Sequence, residues 1–566
     1  MSGRKVTEAK ALKRTYVPVS RKVLVVGRGG IALDLARELT GMGHEVILTH
    51  RIASDKTQRL SEGKEVHNKM EVIAPAEITR FEGSPGRFHV RFRLDTTHVE
   101  TEVGAVVVAT DCELDPGFLS WGLEESKRVC SLSDLERYLA SEAEGPISRK
   151  DPPSSYVFLC GITHPSYPAS QERAIQIARK VASEPGNRVL FLTDDLKVAG
   201  PGLERLALRA REAGVLFVKL TGARPQINGQ GDDIAISYYD DVMGQKVTVR
   251  PDLLVLEEAY RPSKGTARLA AILGVHLDSD GFFQGDQVYN QPIFTNRAGI
   301  WVVGSAKGPV SVEQSLAESK AAALEVFKLL ARGGQWIAED RLELDRKKCA
   351  ICLTCYRVCP HRAISHLNRR PVFSDLACTG CGICTVECPM GAIQLSGFGS
   401  GQLRSQILDS ISVSEGGPAK PPIQIVAFCC QNSAFEAANL ASLSKAPLPS
   451  GTKLIQVPCA GKVDAGYLLS AFQAGADGVM VLACHHDSCR SVEGSRVAEC
   501  RVEETKKMIQ EAGLEKERLF FGTLAPTLAL DFVRMVKEME ETLRVLGESP
   551  MGASRRRHLS GIEGDH

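Results

Sequence analysis

Short continuous runs of aliphatic and β-branched residues recur along the first 300 positions, separated by polar stretches with helical periodicity. The run RKVLVVG (21–27), a helical stretch over 31–42 and the run HEVILTH (44–50) predict a β-α-β opening. Six further runs follow: GAVVVAT (104–110), SYVFLC (155–160), RVLFLT (188–193), VLFVKL (215–220), DLLVLE (252–257) and GIWVVG (299–304). They are apolar throughout rather than alternating, which predicts strands buried on both faces of parallel sheets in an α/β fold. The segment 129–155 reads as a helix followed by a Pro/Ser-rich connection and marks a boundary between two lobes. The first lobe is expected over 21–140 and 246–335, and the second over 150–245. A long helix over 311–333 is expected to pack back on the first lobe.

From about 340 the pattern changes. A cysteine-rich segment occupies 340–398, a connection rich in Gly and Pro towards 414–422 suggests a linker over 399–422, and IQIVAF (423–428), KLIQVP (453–458) and DGVMVLAC (477–484) predict a separate small α/β unit over 423–545. Residues 1–20 form a basic arm and 546–566 a polar tail. The chain of 566 residues is too long for one core, in keeping with several domains. Its 69 basic and 68 acidic residues nearly cancel, so no global field points to nucleic acid or an anionic membrane. No apolar run reaches the roughly 18 residues of a membrane span, and the first twenty residues carry no apolar signal core. A cytoplasmic location is expected, with membrane association only through a partner. In a reducing compartment seventeen cysteines point to metal ligation rather than disulfides.

Eight of them form two copies of one spacing: Cys349, Cys352, Cys355, Cys359-Pro360 and Cys378, Cys381, Cys384, Cys388-Pro389. C-x2-C-x2-C-x3-C-P is the bacterial two-cluster ferredoxin run, in which three cysteines grip one 4Fe-4S cube and the fourth reaches the other. The expected ligand sets are therefore crossed, Cys349, Cys352, Cys355 with Cys388 and Cys378, Cys381, Cys384 with Cys359. Zinc knuckles also use C-x2-C pairs, but a zinc site takes four ligands and has no use for a triple spacing plus Cys-Pro, twice over. His361 and His366 read as solvated loop residues, and Cys112, Cys130 and Cys160 as core residues.

Gly27-Arg28-Gly29-Gly30-Ile31-Ala32 fits G-x-G-x-x-A between a strand and a helix, the setting in which free N–H groups at a helix start receive a pyrophosphate. The acid that should end the second strand and hold a ribose is replaced by His50, followed by Arg51. The second lobe has no glycine pattern after SYVFLCG (155–161).

These blocks, with VGAVVVAT (103–110) and DGFFQGDQVYNQPIFTNRAGIWVVGSAKGP (280–309), resemble the A subunit of heterodisulfide reductases and the flavin subunits of quinone-interacting membrane-bound oxidoreductase complexes, over about residues 20–395. The resemblance implies an α/β, Rossmann-like two-lobed flavoprotein fold with a two-cluster ferredoxin insert. It also implies FAD, with Gly27, Gly29, Gly30 and Ala32 at the pyrophosphate and Gly304 and Ser305 near the ribityl-phosphate end. Asp111 and Val310 depart from the family pattern, as His50 does. From 423 to 545 the chain resembles the delta subunit of methyl-viologen-reducing hydrogenase through AFCCQNSAF (427–435), QVPCAGKVD (456–464) and AGADGVMVLACHHDSC (474–489). That likeness implies a 2Fe-2S site drawn from Cys429 or Cys430 with Cys459, Cys484 and Cys489, and Ser433 stands where the family has a further cysteine. The implied role is electron relay within a hetero-oligomer, next to heterodisulfide reductase B/C-like, hydrogenase-like or quinone-linked subunits, with no catalytic acid, base or nucleophile outside the cofactors. A flavin-free adaptor joining two partners and an NADPH-dependent flavin oxidoreductase are the alternatives.

Overall fold

The computed structural model describes residues 14–50, 69–140, 153–164, 166–198, 200–222, 224–229, 234–283, 292–338, 342–411 and 423–551. The start of the basic arm, Arg51, most of the inter-lobe connection, part of the 280–309 block, the stretch 412–422 and most of the tail lie outside the described residues.

The first lobe is a five-stranded parallel sheet in the spatial order Ile300–Val302, Ala105–Val108, Lys22–Val26, Glu45–Thr49, Met70–Ile73. Its central strands are buried on both faces, as their unbroken apolar runs require. One face carries the helices Gly30–Gly41 and Val312–Leu330, interlocked through Leu35, Leu39, Ala323 and Val326. The other carries an antiparallel meander, Glu77–Ser84, Arg87–Leu94 and Thr97–Val103, over Phe81, Phe88 and Phe92. Strand order reverses between the first and fourth strands, the place where open α/β sheets receive ligands.

The second lobe repeats this plan. Its parallel order is Val129–Ser131, Leu253–Leu256, Ser155–Cys160, Arg188–Thr193, Val215–Lys219, with an antiparallel meander inserted after Val215–Lys219 and with its outer strand, Val129–Ser131, first in the chain where that of the first lobe is last. The run at 252–257, expected in the first lobe, is therefore a central strand of the second. An apolar run reports burial and not which sheet buries it.

In the cysteine-rich segment, the strand pairs Leu342–Leu344 with Ile393–Leu395 and Ile364–Leu367 with Arg370–Phe373 hold two helical turns, Thr354–Val358 and Ile383–Val386. The small C-terminal unit is a four-stranded parallel sheet ordered Thr452–Val457, Ile425–Cys430, Gly478–Ala483, Leu519–Thr523. Residues 400–411, expected in a linker, form the helix Ser400–Ile411, which buries Leu403, Ile407 and Ile411 against this sheet; the i, i+4 spacing of those three residues carries the amphipathic stripe. Among the described residues no helix is long and apolar enough to cross a membrane.

Candidate functional site: three thiol sets and a nucleotide crevice

The ferredoxin-like loops have matching backbones. Ile351 and Leu353 in the first loop and Gly380 and Gly382 in the second all adopt positive φ, 57°, 57°, 74° and 79°. The first loop thus holds two side-chain-bearing residues in a region that disfavours them, whereas the second uses glycine. Cys359, Cys378, Cys381 and Cys384 line one cavity, and Cys355 faces Cys349, Cys352 and Cys388, so the thiols gather in the crossed sets. Among the described residues no three His, Cys, Asp or Glu side chains close to the spacing of a single bound ion. The amide of Ala363 donates to Cys359 Sγ and that of Ala392 to Cys388 Sγ, each at 3.3 Å, so the two Cys-Pro corners are equivalent.

Their surroundings differ. Cys352 is exposed, and the Thr354 hydroxyl and amide hold its thiol below the usual range. Burial pushes Cys381 up to about 12. His361 is not a solvated loop residue: it is buried, burial lowers it to about 4, and it lies between the backbone of Asn296 in the first lobe and Cys489 of the C-terminal unit.

In the C-terminal unit successive strand residues face opposite ways, which separates two adjacent thiols. Cys430 joins Cys484, with the sulfurs 3.7 Å apart, and Cys484 and Cys459 both reach Cys489. Hydrogen bonds among these thiols hold Cys430 and Cys489 low and Cys459 and Cys484 high. Cys429 lies on the other face among Met480, Leu482 and Phe532, with its thiol directed to Ala427 O, and is removed from the candidate ligands. Ser433 is fully buried beside Cys484. His485 and His486 turn to Thr523 and Ser495 rather than to the sulfurs.

The C-terminal set abuts the ferredoxin segment. A Cβ on Gly461 would lie 3.0 Å from Ile383 Cγ1, Lys462 Nζ donates to Thr385 Oγ1 at 2.8 Å, and Arg501 bridges Glu387 to the carbonyls of Gly461 and Val463.

In the first lobe, a crevice at the switch point runs from Gly27 and Arg28 past Thr49 and His50 to Leu269 and Ile272. Gly27 is forced by close packing, since a Cβ there would collide with Ala109 O. Gly30 opens the helix with free space around it. Ala32 does not face the crevice: two positions into the helix it is rotated to the sheet side and is fully buried. Gly304, at φ 62°, donates its amide to the buried Glu318, which pairs with Lys307 at 2.6 Å, and Ser305 Oγ donates to Thr110 O at 3.4 Å. The apolar crevice, with Arg28 and Lys264 on its wall, fits the adenosine half of a dinucleotide. At the pyrophosphate end the Asp111 carboxylate lies against Gly29, where a Cβ would collide with it, and Arg28 Nε is 3.5 Å from Asp111 Oδ2. Both side chains are about two-fifths exposed, so this acid can swing aside to admit a phosphate. In the second lobe the corresponding corner is closed by Glu257, which accepts from the amide of Gly161 (2.6 Å) and from Ser166 Oγ (2.5 Å).

Nucleotide-type lobes joined to cluster-type thiol sets define an iron-sulfur redox protein. The family described as 4Fe-4S binding domain matches residues 371–394, and methyl-viologen-reducing hydrogenase, delta subunit, matches 425–547. The chain is a homologue of heterodisulfide reductase A subunits over most of its length and belongs through its C-terminal domain to the hydrogenase delta-subunit family. The ferredoxin:CoB-CoM heterodisulfide reductase A subunit of Methanosarcina mazei is 26% identical over 514 residues, 87% of this chain and 62% of that relative, so this chain spans about three-fifths of its length. The iron-sulfur D subunit of the F420-non-reducing vhu hydrogenase of Methanocaldococcus jannaschii is 36% identical over 129 residues, 23% of this chain and 96% of the relative. A thioredoxin reductase of Lactococcus lactis aligns with 55% of this chain and 99% of its own at 16% identity and a TM-score of 0.36, too low to bear on function.

Proposed function

We propose that this chain is the electron-relaying subunit of a larger redox complex, carrying a 2Fe-2S cluster on Cys430, Cys459, Cys484 and Cys489, two 4Fe-4S clusters on the crossed sets, and FAD in the first lobe. The observation that carries the reading is contiguity. The Cys459–Lys462 loop packs on the Cys381–Thr385 loop, His361 joins Cys489 to the first lobe, and Arg362 of the ferredoxin segment packs on Gly274 of that lobe, where a Cβ would lie 2.6 Å from its guanidinium. Clusters on touching loops exchange electrons without a mobile carrier. FAD, when bound, supplies the exchange between two-electron and one-electron chemistry. Arg28, Lys264 and the amide of Gly30 would hold its adenosine and phosphate end, and Thr110 with Ser305 would bound the side towards its ring. Partner subunits of heterodisulfide reductase or hydrogenase type would supply the terminal donor and acceptor.

The Asp111 carboxylate over Gly29 favours a second reading, a flavin-free adaptor. Anaerobic purification with iron, sulfide and flavin analysis decides between them. The relay predicts about ten irons per chain, from two cubes and one 2Fe-2S cluster, with one FAD. Ten irons without flavin leaves the adaptor, and fewer than eight irons refutes both.

A further inference from the structure

Lys462 is fully buried, on the loop that follows Cys459. Its side chain lies over Gly382, between Cys381 and Cys384, where a Cβ on Gly382 would come within 2.6 Å of Lys462 Cδ. The hydrogen-bond partners of its ammonium are two neutral hydroxyls, Thr385 at 2.8 Å and Tyr467 at 3.5 Å, with the Tyr467 ring 5.5 Å away. Asp464 and Arg501 act on it only through space and with opposite sign. Burying an ammonium without a counter-charge is costly, and burial lowers this one to about 8 in the thiol form. A 4Fe-4S cube with four thiolates is a net anion that gains one more negative charge on reduction. It supplies the counter-charge that hydroxyls do not.

The two cubes are unequal in this respect. The position of Gly382 in the first loop is taken by Leu353, which has the same backbone conformation and a side chain of its own, while Gly382 leaves the space to a cation brought by another domain. The first set lies near Lys348 and Arg357, but these are surface residues whose fields water and salt screen. A buried charge is screened far less.

We propose that Lys462 is the charge that raises the reduction potential of the cluster on Cys359, Cys378, Cys381 and Cys384, setting it apart from the otherwise similar cube on Cys349, Cys352, Cys355 and Cys388. The ammonium stabilises the reduced, more anionic cube more than the oxidised one. One consequence is that docking of the C-terminal domain, which carries Lys462, sets the electron affinity of the cube it touches. The inference rests on the proposed function, since it takes both cubes to be in place.

The test is an anaerobic redox titration of the full-length protein followed by electron paramagnetic resonance, with Lys462→Met, Lys462→Gln and Lys462→Arg. In the Met and Gln variants one 4Fe-4S midpoint falls by at least a tenfold change in the reduction equilibrium, about 59 mV for one electron, while the other midpoint stays put. Arg keeps both midpoints. The shifted signal is the one altered by Cys381→Ser and not by Cys352→Ser. Unchanged midpoints in iron-replete Met and Gln variants overturn the inference, as does loss of iron in all three variants, which would make Lys462 a folding residue. Absence of two cubes in the unmodified protein instead overturns the proposed function.

Discussion

Replacing Cys429 and Cys430 one at a time by alanine separates two neighbours that look alike in the sequence. Cys430 faces Cys484 and is one of four buried thiols, so on the proposed ligand set its loss should remove a ligand and with it about two of about ten irons. Cys429 packs among apolar side chains on the opposite face, and Cys429→Ala deletes one buried sulfur of roughly methyl size. That costs about 1 kcal/mol through the small cavity left behind and touches no iron. Iron and sulfide are measured on anaerobically prepared protein, visible circular dichroism follows the 2Fe-2S signal, and a thermal melt follows stability. Cys430→Ala should retain about eight irons and lose the 2Fe-2S band, while Cys429→Ala should keep all the iron with a slightly lower melting temperature. If Cys429→Ala loses the two irons and Cys430→Ala keeps them, the strand register that orients the pair is wrong.

Asp111→Gly removes the carboxylate lying on Gly29; relief of its repulsion from a pyrophosphate is worth on the order of 1–3 kcal/mol, so FAD affinity by fluorescence titration should rise about five- to 150-fold, and an unchanged affinity would show that the acid does not guard the site. Gly494→Ala would drive a Cβ into Cys459 Sγ and to 3.1 Å from Ser491 Cβ, so overpacking of about 1–3 kcal/mol should fall on the 2Fe-2S signal and spare both cubes, and equal loss from all three clusters would refute that locality. Burial raises Glu257 to about 7 despite its bonds from Ser166 and Gly161, with Asp194 adding to the rise and Lys197 opposing it. A carboxyl with a raised folded value gives stability at pH below its unfolded value near 4.5, and loses it as the pH climbs through 7, about 3 kcal/mol in all. Glu257→Gln should therefore raise the melting temperature more at pH 8 than at pH 5, and an equal change at both would contradict a buried, protonating acid.

Local spacing predicted two crossed sets of thiols between Cys349 and Cys388, and the structure groups them so; the βαβ opening was legible because its apolar runs are continuous. What escaped the sequence depends on which way a residue turns or what a distant segment brings. Cys429 and Cys430 end the same strand, and a period of two says that they diverge but not which one meets Cys484. Ala32 carries the fingerprint pattern and yet packs under its helix. The strand Leu253–Leu256 gives no sign of which sheet it joins. Lys462, in a polar loop between a cysteine and a helix, has the look of any solvated lysine. Only the approach of Gly382, eighty residues earlier, reveals that it is buried. The departure at Asp111 was visible, but its contact with Gly29 was not.

The two nucleotide-type lobes share one spatial arrangement of parallel strands, and in both an acid just beyond one strand at the switch point, Ala105–Val108 or Leu253–Leu256, reaches a glycine just beyond the neighbouring strand, Lys22–Val26 or Ser155–Cys160. Asp111 lies on Gly29 and Glu257 accepts from Gly161. Amides at a switch point need an acceptor, which a phosphate supplies in a loaded site and which the Glu257 carboxyl supplies internally in the second lobe. The two acids differ in how firmly they are held. Asp111 pairs at the surface with Arg28, a contact worth about 0–1 kcal/mol, so a pyrophosphate can displace it. Glu257 has a side chain 1% exposed and two hydrogen bonds, so displacing it leaves a buried amide and hydroxyl to be satisfied at about 1–3 kcal/mol each. The first lobe therefore remains open to one dinucleotide while the second is closed by its own side chain, which argues against a nicotinamide cofactor there. In the proposed relay, electrons pass between the first lobe and the ferredoxin segment that packs on it. That is why contact between the loops of Cys381 and Cys459, rather than a diffusing reductant, is the step on which the relay depends.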